Sequence, residues 1–201
     1  NKSFIIKIIL LCLVTIKVSA IEKVILFGDS LMAGYGLPNE QHLSVVLQNS
    51  LEIEGYNIEI VNGSVSGSTS SGGLNIAEWT LSESNIDLMI LCLGANDMLR
   101  GINPKETKNN LEEIVKIAKR KNIKVIIAGM IAPTSYGSGY KKSFDKIFYD
   151  LSKKYKLQLI PFLLEGVAQK PKFNLSDGMH PNDQGTIIIA NTLKKAILEN
   201  L

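Results

Sequence analysis

From Lys23 to the C-terminal end, short apolar runs alternate with longer amphipathic stretches. Lys23–Phe27 reads as a first strand, and Leu43–Glu54 as a helix with apolar residues near helical spacing and Gly55 just beyond it. Asn57–Asn62 reads as a second strand and Gly72–Ser82 as a helix. Asp87–Leu93 is almost wholly apolar, which suits a strand covered on both faces. Lys105–Lys121 is a strong helix with Ile114, Ile117 and Ala118 on one face. Lys124–Gly129 reads as a strand, Lys141–Tyr155 as a helix, Leu157–Phe162 as a strand and Asn182–Leu198 as a closing helix. Strands and helices in strict alternation predict an α/β fold: one parallel sheet with helices on both faces.

Ligands of such sheets bind beyond the carboxyl ends of the strands. Ser30 follows the first strand, Gly67 the second and Asn96 the third. Ser30 lies in Gly28-Asp29-Ser30-Leu31, placed either as a nucleophile or as the capping serine of a turn. The glycines at 28, 34 and 36 lack the Gly-Lys-Ser/Thr ending of a phosphate loop. Near the other end stands Asp177-Gly178-Met179-His180-Pro181. A carboxylate three residues before a histidine can hold Nδ1 and leave Nε2 to take a hydroxyl proton. The sequence thus supplies Ser30, His180 and Asp177 as nucleophile, base and orienting group. His42 has no such partner and reads as structural or solvated. Gly67 sits in a run of small residues, where a backbone N–H can approach a ligand closely. Asn96, in Gly94-Ala95-Asn96-Asp97, can aim its amide at a developing oxyanion. Asp29 and Asp97 read as turn and helix-start acceptors, and no His/Cys cluster has metal-ligand spacing, so neither metal nor cofactor is implied.

The first twenty residues depart from this pattern. They contain Lys2, Lys7 and Lys17 but no acidic residue, with an apolar centre from Ile8 to Ile16 and the ending Val18-Ser19-Ala20. That is the layout of a secretory signal peptide, with 21–201 as the single mature domain. The apolar run is short for a membrane span, although Lys17 beside the exit leaves an uncleaved anchor as the alternative. The charge balance changes accordingly. The leader holds three of the 22 Lys and Arg and none of the 19 Asp and Glu, so the mature chain is formally neutral. No basic stripe points to nucleic acid. Removing Cys12 with the leader leaves Cys92 alone in an apolar run, a small core residue without a disulfide partner. An exported, periplasmic protein without stable membrane insertion is expected, as a monomer.

Taken together, the four strand-end elements resemble the SGNH hydrolases of the GDSL esterase/lipase superfamily, whose four blocks carry Ser, Gly, Asn and His. They map onto Ser30, Gly67, Asn96 and His180. The likeness extends through Ala33-Gly34-Tyr35-Gly36-Leu37-Pro38, Leu99-Arg100-Gly101, Gly129-Met130 and Pro161–Val167, and is similar to the secreted arylesterase, thioesterase I and lysophospholipase group. Two positions depart from that group: Ser68 where an acidic residue is usual, and Met32 where Thr or Ser is common. Both touch the rim of the site rather than its reacting atoms. The resemblance implies a single-domain, flavodoxin-like three-layer α/β/α sandwich with a five-stranded parallel sheet. It also implies a serine esterase acting on carboxylic esters or thioesters of small molecules or lipids. The oxyanion would be held by the N–H groups of Ser30 and Gly67 and the Asn96 side chain. Met98, Leu99, Gly101 and Ile102 are expected to form a lip over an acyl chain, and the apolar Phe162-Leu163-Leu164 loop favours such a chain over a sugar. A carbohydrate O-acetylesterase, or a binding protein on the same fold, is the alternative.

Overall fold

The computed structural model describes residues 21–83 and 85–201; the leader expected at 1–20 lies outside the described residues. The chain runs β1 (Lys23–Gly28), α1 (Ser30–Ala33), α2 (Leu43–Ile53), β2 (Glu59–Asn62), α3 (Ser70–Thr80), β3 (Leu88–Cys92), α4 (Ala95–Leu99), α5 (Pro104–Arg120), β4 (Lys124–Ala128), α6 (Ser138–Tyr155), β5 (Gln158–Ile160) and α7 (Asp183–Leu198). The five strands are all parallel, in the order β2-β1-β3-β4-β5. Helix α2 packs on α7, and α3 and α6 each pack on α5, so the sheet lies between two helical layers. The expected α/β sandwich is the fold observed.

Burial follows strand position. Every residue of the central β3 is buried, as are all but the first of β1 and β4, which is why these runs are apolar without alternation. The edge strand β2 is only half-buried, and the side chain of Gln48 in α2 accepts from its Ile60 N–H at 2.7 Å. That bond occupies one group an edge strand would otherwise offer to another chain.

Three differences from the sequence reading have local causes. Helix α3 starts at Ser70, two residues before the expected Gly72, because Thr69 Oγ1 accepts from Gly72 N–H at 3.1 Å and caps it. Strand β5 ends at Ile160, because Pro161 next in sequence has no N–H to extend a ladder. The short helices α1 and α4 have no counterpart in the apolar pattern. Four and five residues carry no usable periodicity, and each is set by its entry: Asp29 caps α1, and Gly94 enters α4 at φ +119°.

One buried polar node ties three helices together at the carboxyl edge of the sheet. The Asp97 side chain in α4 is fully buried. Its carboxylate accepts from Ser70 N–H at 2.7 Å and from the Ser70 hydroxyl at the start of α3, and from Thr107 Oγ1 at 3.0 Å in α5. Asn110 of α5 donates to Ser70 Oγ at 3.0 Å. The reading of Asp97 as a helix-start acceptor therefore holds, but the helix it starts is α3 and not its own. Replacing Asp97 by alanine strands these buried donors, each costing about 1–3 kcal/mol. Asp97→Ala should lower unfolding stability by at least about 3 kcal/mol. Urea denaturation checks this, and a loss below about 1 kcal/mol would mean the node is dispensable.

Candidate active site

Where β1 ends, the backbone turns sharply into α1. A Cβ at Gly28 would lie 2.7 Å from both the Cys92 carbonyl oxygen and Met32 Cγ, so only glycine lets β1 and β3 stay this close beneath the turn. Asp29 caps α1 by accepting from Leu31 N–H at 3.0 Å, and Ser30 follows as the first helical residue. This places the Ser30 hydroxyl at the sheet's carboxyl edge.

At the far end of the chain, the loop before α7 is fixed by its own backbone. Leu175 N–H donates to His180 O at 2.8 Å, Asn182 N–H donates to Phe173 O at 3.0 Å, and Asn174 bridges to Pro181. Gly185, in the first turn of α7, would put a Cβ 2.2 Å from Phe173 O, so a bare Cα is needed for this packing. Asp177 Oδ1 accepts from the N–H groups of Met179 at 2.9 Å and His180 at 3.0 Å. Its Oδ2 lies 2.6 Å from His180 Nδ1. The His180 and Met179 N–H groups, then the imidazole, pull the Asp177 carboxyl down to about 2, so it is a fixed anion across the physiological range. With Nδ1–H donated to Asp177, Nε2 is the acceptor, and it stands 2.9 Å from Ser30 Oγ. Residues 150 apart in sequence are thus joined as Ser30, His180 and Asp177, the trio expected. The Tyr35 ring packs against the imidazole with centroids 4.4 Å apart. His42 does not join them. Its ring fills the space where a Gly34 side chain would be, and Nε2 lies 3.0 Å from Leu37 O, so it supports the loop that carries Tyr35.

Asn96 meets the Gly67 loop at the Ser68 carbonyl and reaches Asp29, the neighbour of Ser30. Gly67 has φ +78° with open space where a Cβ would be, and Arg100 Nη2 donates to its carbonyl at 3.1 Å. Among the described residues neither Ser30 N–H nor Gly67 N–H has a protein acceptor, so both are free to donate. The Asn96 amide is already engaged: Nδ2 donates to Ser68 O at 3.1 Å and to Asp29 Oδ2 at 3.3 Å. Asp29 is itself buried. Burial pushes its carboxyl from the ordinary 3.8 up to about 6, against the opposing pull of Leu31 N–H, the Asn96 amide and His180. Asp29, Arg100 and Tyr35 also stand beside this site; the motifs that hold them are visible in the sequence, but their contacts with Asn96, Gly67 and His180 are not. Burial also pushes the Cys92 thiol well above its ordinary value, in keeping with an inert core residue.

The rim differs from expectation. Met98 and Leu99 are neighbours on α4, so their side chains point apart: Met98 packs into the core, while Leu99 is 53% exposed. Leu163 and Leu164 are core residues too. Gly101 turns at φ +66°, and Ile102 is half-buried with its carbonyl accepting from Tyr140 Oη at 3.0 Å. The cleft beside Ser30 is small, about 10 Å³, between Tyr35, Leu37 and Pro181. A larger groove of about 630 Å³ lies away from the Ser30–His180 pair, between β2 and α3.

A profile of the GDSL-like lipase/acylhydrolase family matches residues 26–186. An arylesterase of Vibrio mimicus is 35% identical over 182 residues, covering 90% of this chain and 91% of that one. Thioesterase 1/protease 1/lysophospholipase L1 of Escherichia coli K12 is 31% identical over 187 residues, covering 93% and 88%. The crystal structure of TesA superposes with a TM-score of 0.84 at 32% identity, covering 90% of this chain and 100% of that one. The chain belongs to the GDSL-like lipase/acylhydrolase family and is an ester-hydrolysing enzyme of the SGNH type.

Proposed function

We propose that hydrolysis proceeds through an acyl-enzyme on Ser30, with small-molecule or lipid carboxylic esters and thioesters as substrates. The observation that carries this reading is the continuous chain from Ser30 Oγ to His180 Nε2 at 2.9 Å and from His180 Nδ1 to Asp177 at 2.6 Å. Ser30 Oγ attacks the carbonyl carbon while His180 Nε2 takes its proton. Asp177, an anion throughout, holds the imidazole in the required tautomer and stabilises the imidazolium. The tetrahedral oxyanion is received by the free N–H groups of Ser30 and Gly67 and by the Asn96 amide. His180 then protonates the leaving oxygen or sulfur, and water deprotonated by His180 releases the acid. The names of the Vibrio arylesterase and the E. coli thioesterase/lysophospholipase support this range of leaving groups.

The rim we assign to substrate is Leu99, Gly101 and Ile102, joined by the exposed Tyr35 and Met179; Met98, being core, leaves it. A carbohydrate O-acetylesterase is the second reading, favoured by the burial of Leu163 and Leu164, which takes these apolar side chains away from the mouth of the site.

The catalytic assignment is tested by a series of variants. Ser30→Ala should abolish both turnover and labelling by a fluorophosphonate. His180→Ala should approach the same loss, because the two act as a unit, whereas His42→Ala should cost only modestly through its loop. Asn96→Ala should reduce kcat about a hundredfold with little change in KM, as for one oxyanion donor. Comparable kcat losses in the two histidine variants would reject His180 as the base.

The rim assignment is tested with p-nitrophenyl esters of increasing chain length. Each methylene covered by apolar side chain is worth about 0.8 kcal/mol, so Leu99→Ser should lower kcat/KM for octanoyl esters severalfold and spare acetyl esters. Equal losses on both would assign Leu99 to the geometry of α4, and activity confined to acetyl esters would favour the second reading.

We further propose export with cleavage after Ala20, on the layout of the leader. Among the described residues no helix is long and apolar enough to cross a membrane. Mass spectrometry of the exported protein should find Ile21 as its first residue; an intact leader in the membrane fraction would favour the anchored alternative.

A further inference from the structure

We infer that Asp29 is a positioning residue for the Asn96 amide, and that its ionised carboxylate is the form that holds the amide nitrogen toward the reacting oxygen. This rests on the proposed role of Asn96 as an oxyanion donor. An asparagine amide can sit in either of two orientations, related by a flip that exchanges nitrogen and oxygen. Only one of them presents a donor to the oxyanion. Here the choice is made by two acceptors, Ser68 O at 3.1 Å and Asp29 Oδ2 at 3.3 Å, both facing Nδ2. Flipping the amide would set its oxygen against a carbonyl and a carboxylate, lone pair against lone pair.

The carboxylate does this because both its oxygens are acceptors. Oδ1 is occupied by Leu31 N–H at 3.0 Å and Oδ2 by Asn96, so every neighbour that binds Asp29 is a donor. A proton added to Asp29 would point an O–H at one of these N–H groups. The amide then loses its acceptor, or flips to offer its oxygen. Asp29→Asn creates the same conflict permanently, since the new side chain has one acceptor and one donor where two acceptors are needed. The substitution keeps size and shape, and asparagine is as good a helix cap as aspartate, so the fold of α1 survives it.

Nδ2 carries two hydrogens and faces two protein acceptors, so the oxyanion is received in place of the neutral Ser68 carbonyl or shares its hydrogen in a bifurcated bond, while Asp29 keeps the other. The ionisable groups around Asp29 are His180, whose charged form favours the carboxylate, Asp97, which opposes it, and the Cys92 thiol, which stays neutral. Burial places the Asp29 carboxyl at about 6, so the conflict arises as pH falls through that range. Protonation of Asp29 therefore adds its own partial loss of activity on the acid side.

The test is the pH profile of kcat/KM for p-nitrophenyl acetate in the wild type and Asp29→Asn, beside Asn96→Ala. On the acid limb of log kcat/KM against pH, the wild type should fall more steeply than Asp29→Asn through about pH 6, and the two curves should converge at lower pH, because a protonated Asp29 keeps the residual activity of the Asn variant. At pH 8 Asp29→Asn should lose about 10- to 100-fold in kcat with KM little changed, the scale for a misplaced catalytic group. Urea unfolding across pH supplies a readout independent of activity. A carboxyl whose folded pKa is raised binds its proton more tightly when folded, so its contribution to stability is present below pH 4 and fades as pH rises through about 6. That decline should be present in the wild type and absent in Asp29→Asn. An unaltered slope and kcat in Asp29→Asn, with Asn96→Ala still impaired, would overturn the positioning role and leave Asn96 as the donor. An unimpaired Asn96→Ala would instead overturn the reading on which it rests.

Discussion

A sheet whose strands are all parallel delivers every chain exit to one edge, and the site depends on that constraint. β1 leads to Ser30, β2 to Gly67 and β3 to Asn96, in the neighbouring order β2-β1-β3. The strand of the proposed nucleophile is therefore flanked by the two strands that lead to the other two proposed oxyanion donors. The price is burial on both faces, met by β1, β3 and β4 with near-continuous apolar sequence. The polar residues that do the chemistry begin only where the strands stop. A frame this apolar leaves few polar anchors, so the loops must be held by each other.

That holding is done by buried carboxylates in unequal electrostatic settings. Asp97 ties the start of α3, just after the Gly67 loop, to α4 and α5. Asp29 caps α1 and grips the Asn96 amide from the opposite side. Asp177 differs from both. It is a third exposed and its oxygens are taken by backbone N–H groups and the imidazole, which hold it at about 2. Asp29, with fewer donors and almost no solvent, is pushed up to about 6. Two aspartates thus stand beside the Ser30–His180 pair, one with its charge locked and one with its charge within reach of a proton. Environment, not residue type, separates them.

Much of this was legible in the sequence, and the exceptions share a cause. The strand exits, the α/β class and the Ser30, His180 and Asp177 trio followed from periodicity and from the three-residue spacing of Asp177 and His180. Helices α1 and α4 were not legible, because single-turn helices arise from one cap or one left-handed glycine rather than from a repeating pattern. The rim was misread for the same reason. Treated as a loop, Met98 and Leu99 both face solvent; as one turn of helix, they diverge, and Met98 enters the core. Leu163 and Leu164 were misread because an apolar run after a strand looks alike whether it lines a mouth or closes the core. Burial separates the two, and burial is not local in sequence.

The polar ties were hidden for a further reason. Asp29 and Asn96 are 67 positions apart, and Asp97 and Ser70 are 27 apart. Each residue alone reads as an ordinary cap, and as caps Asp29 and Thr69 do serve. What the fold adds is a second acceptor function for an oxygen the cap leaves over. A carboxylate has two oxygens, a local cap uses one, and the other is free to accept from a distant element. At Asp97 both oxygens serve other helices, and at Asp29 one serves α1 and one serves Asn96. The surplus acceptor is how a single short motif, Gly-Asp-Ser, comes to hold both the Ser30 turn and the Asn96 amide.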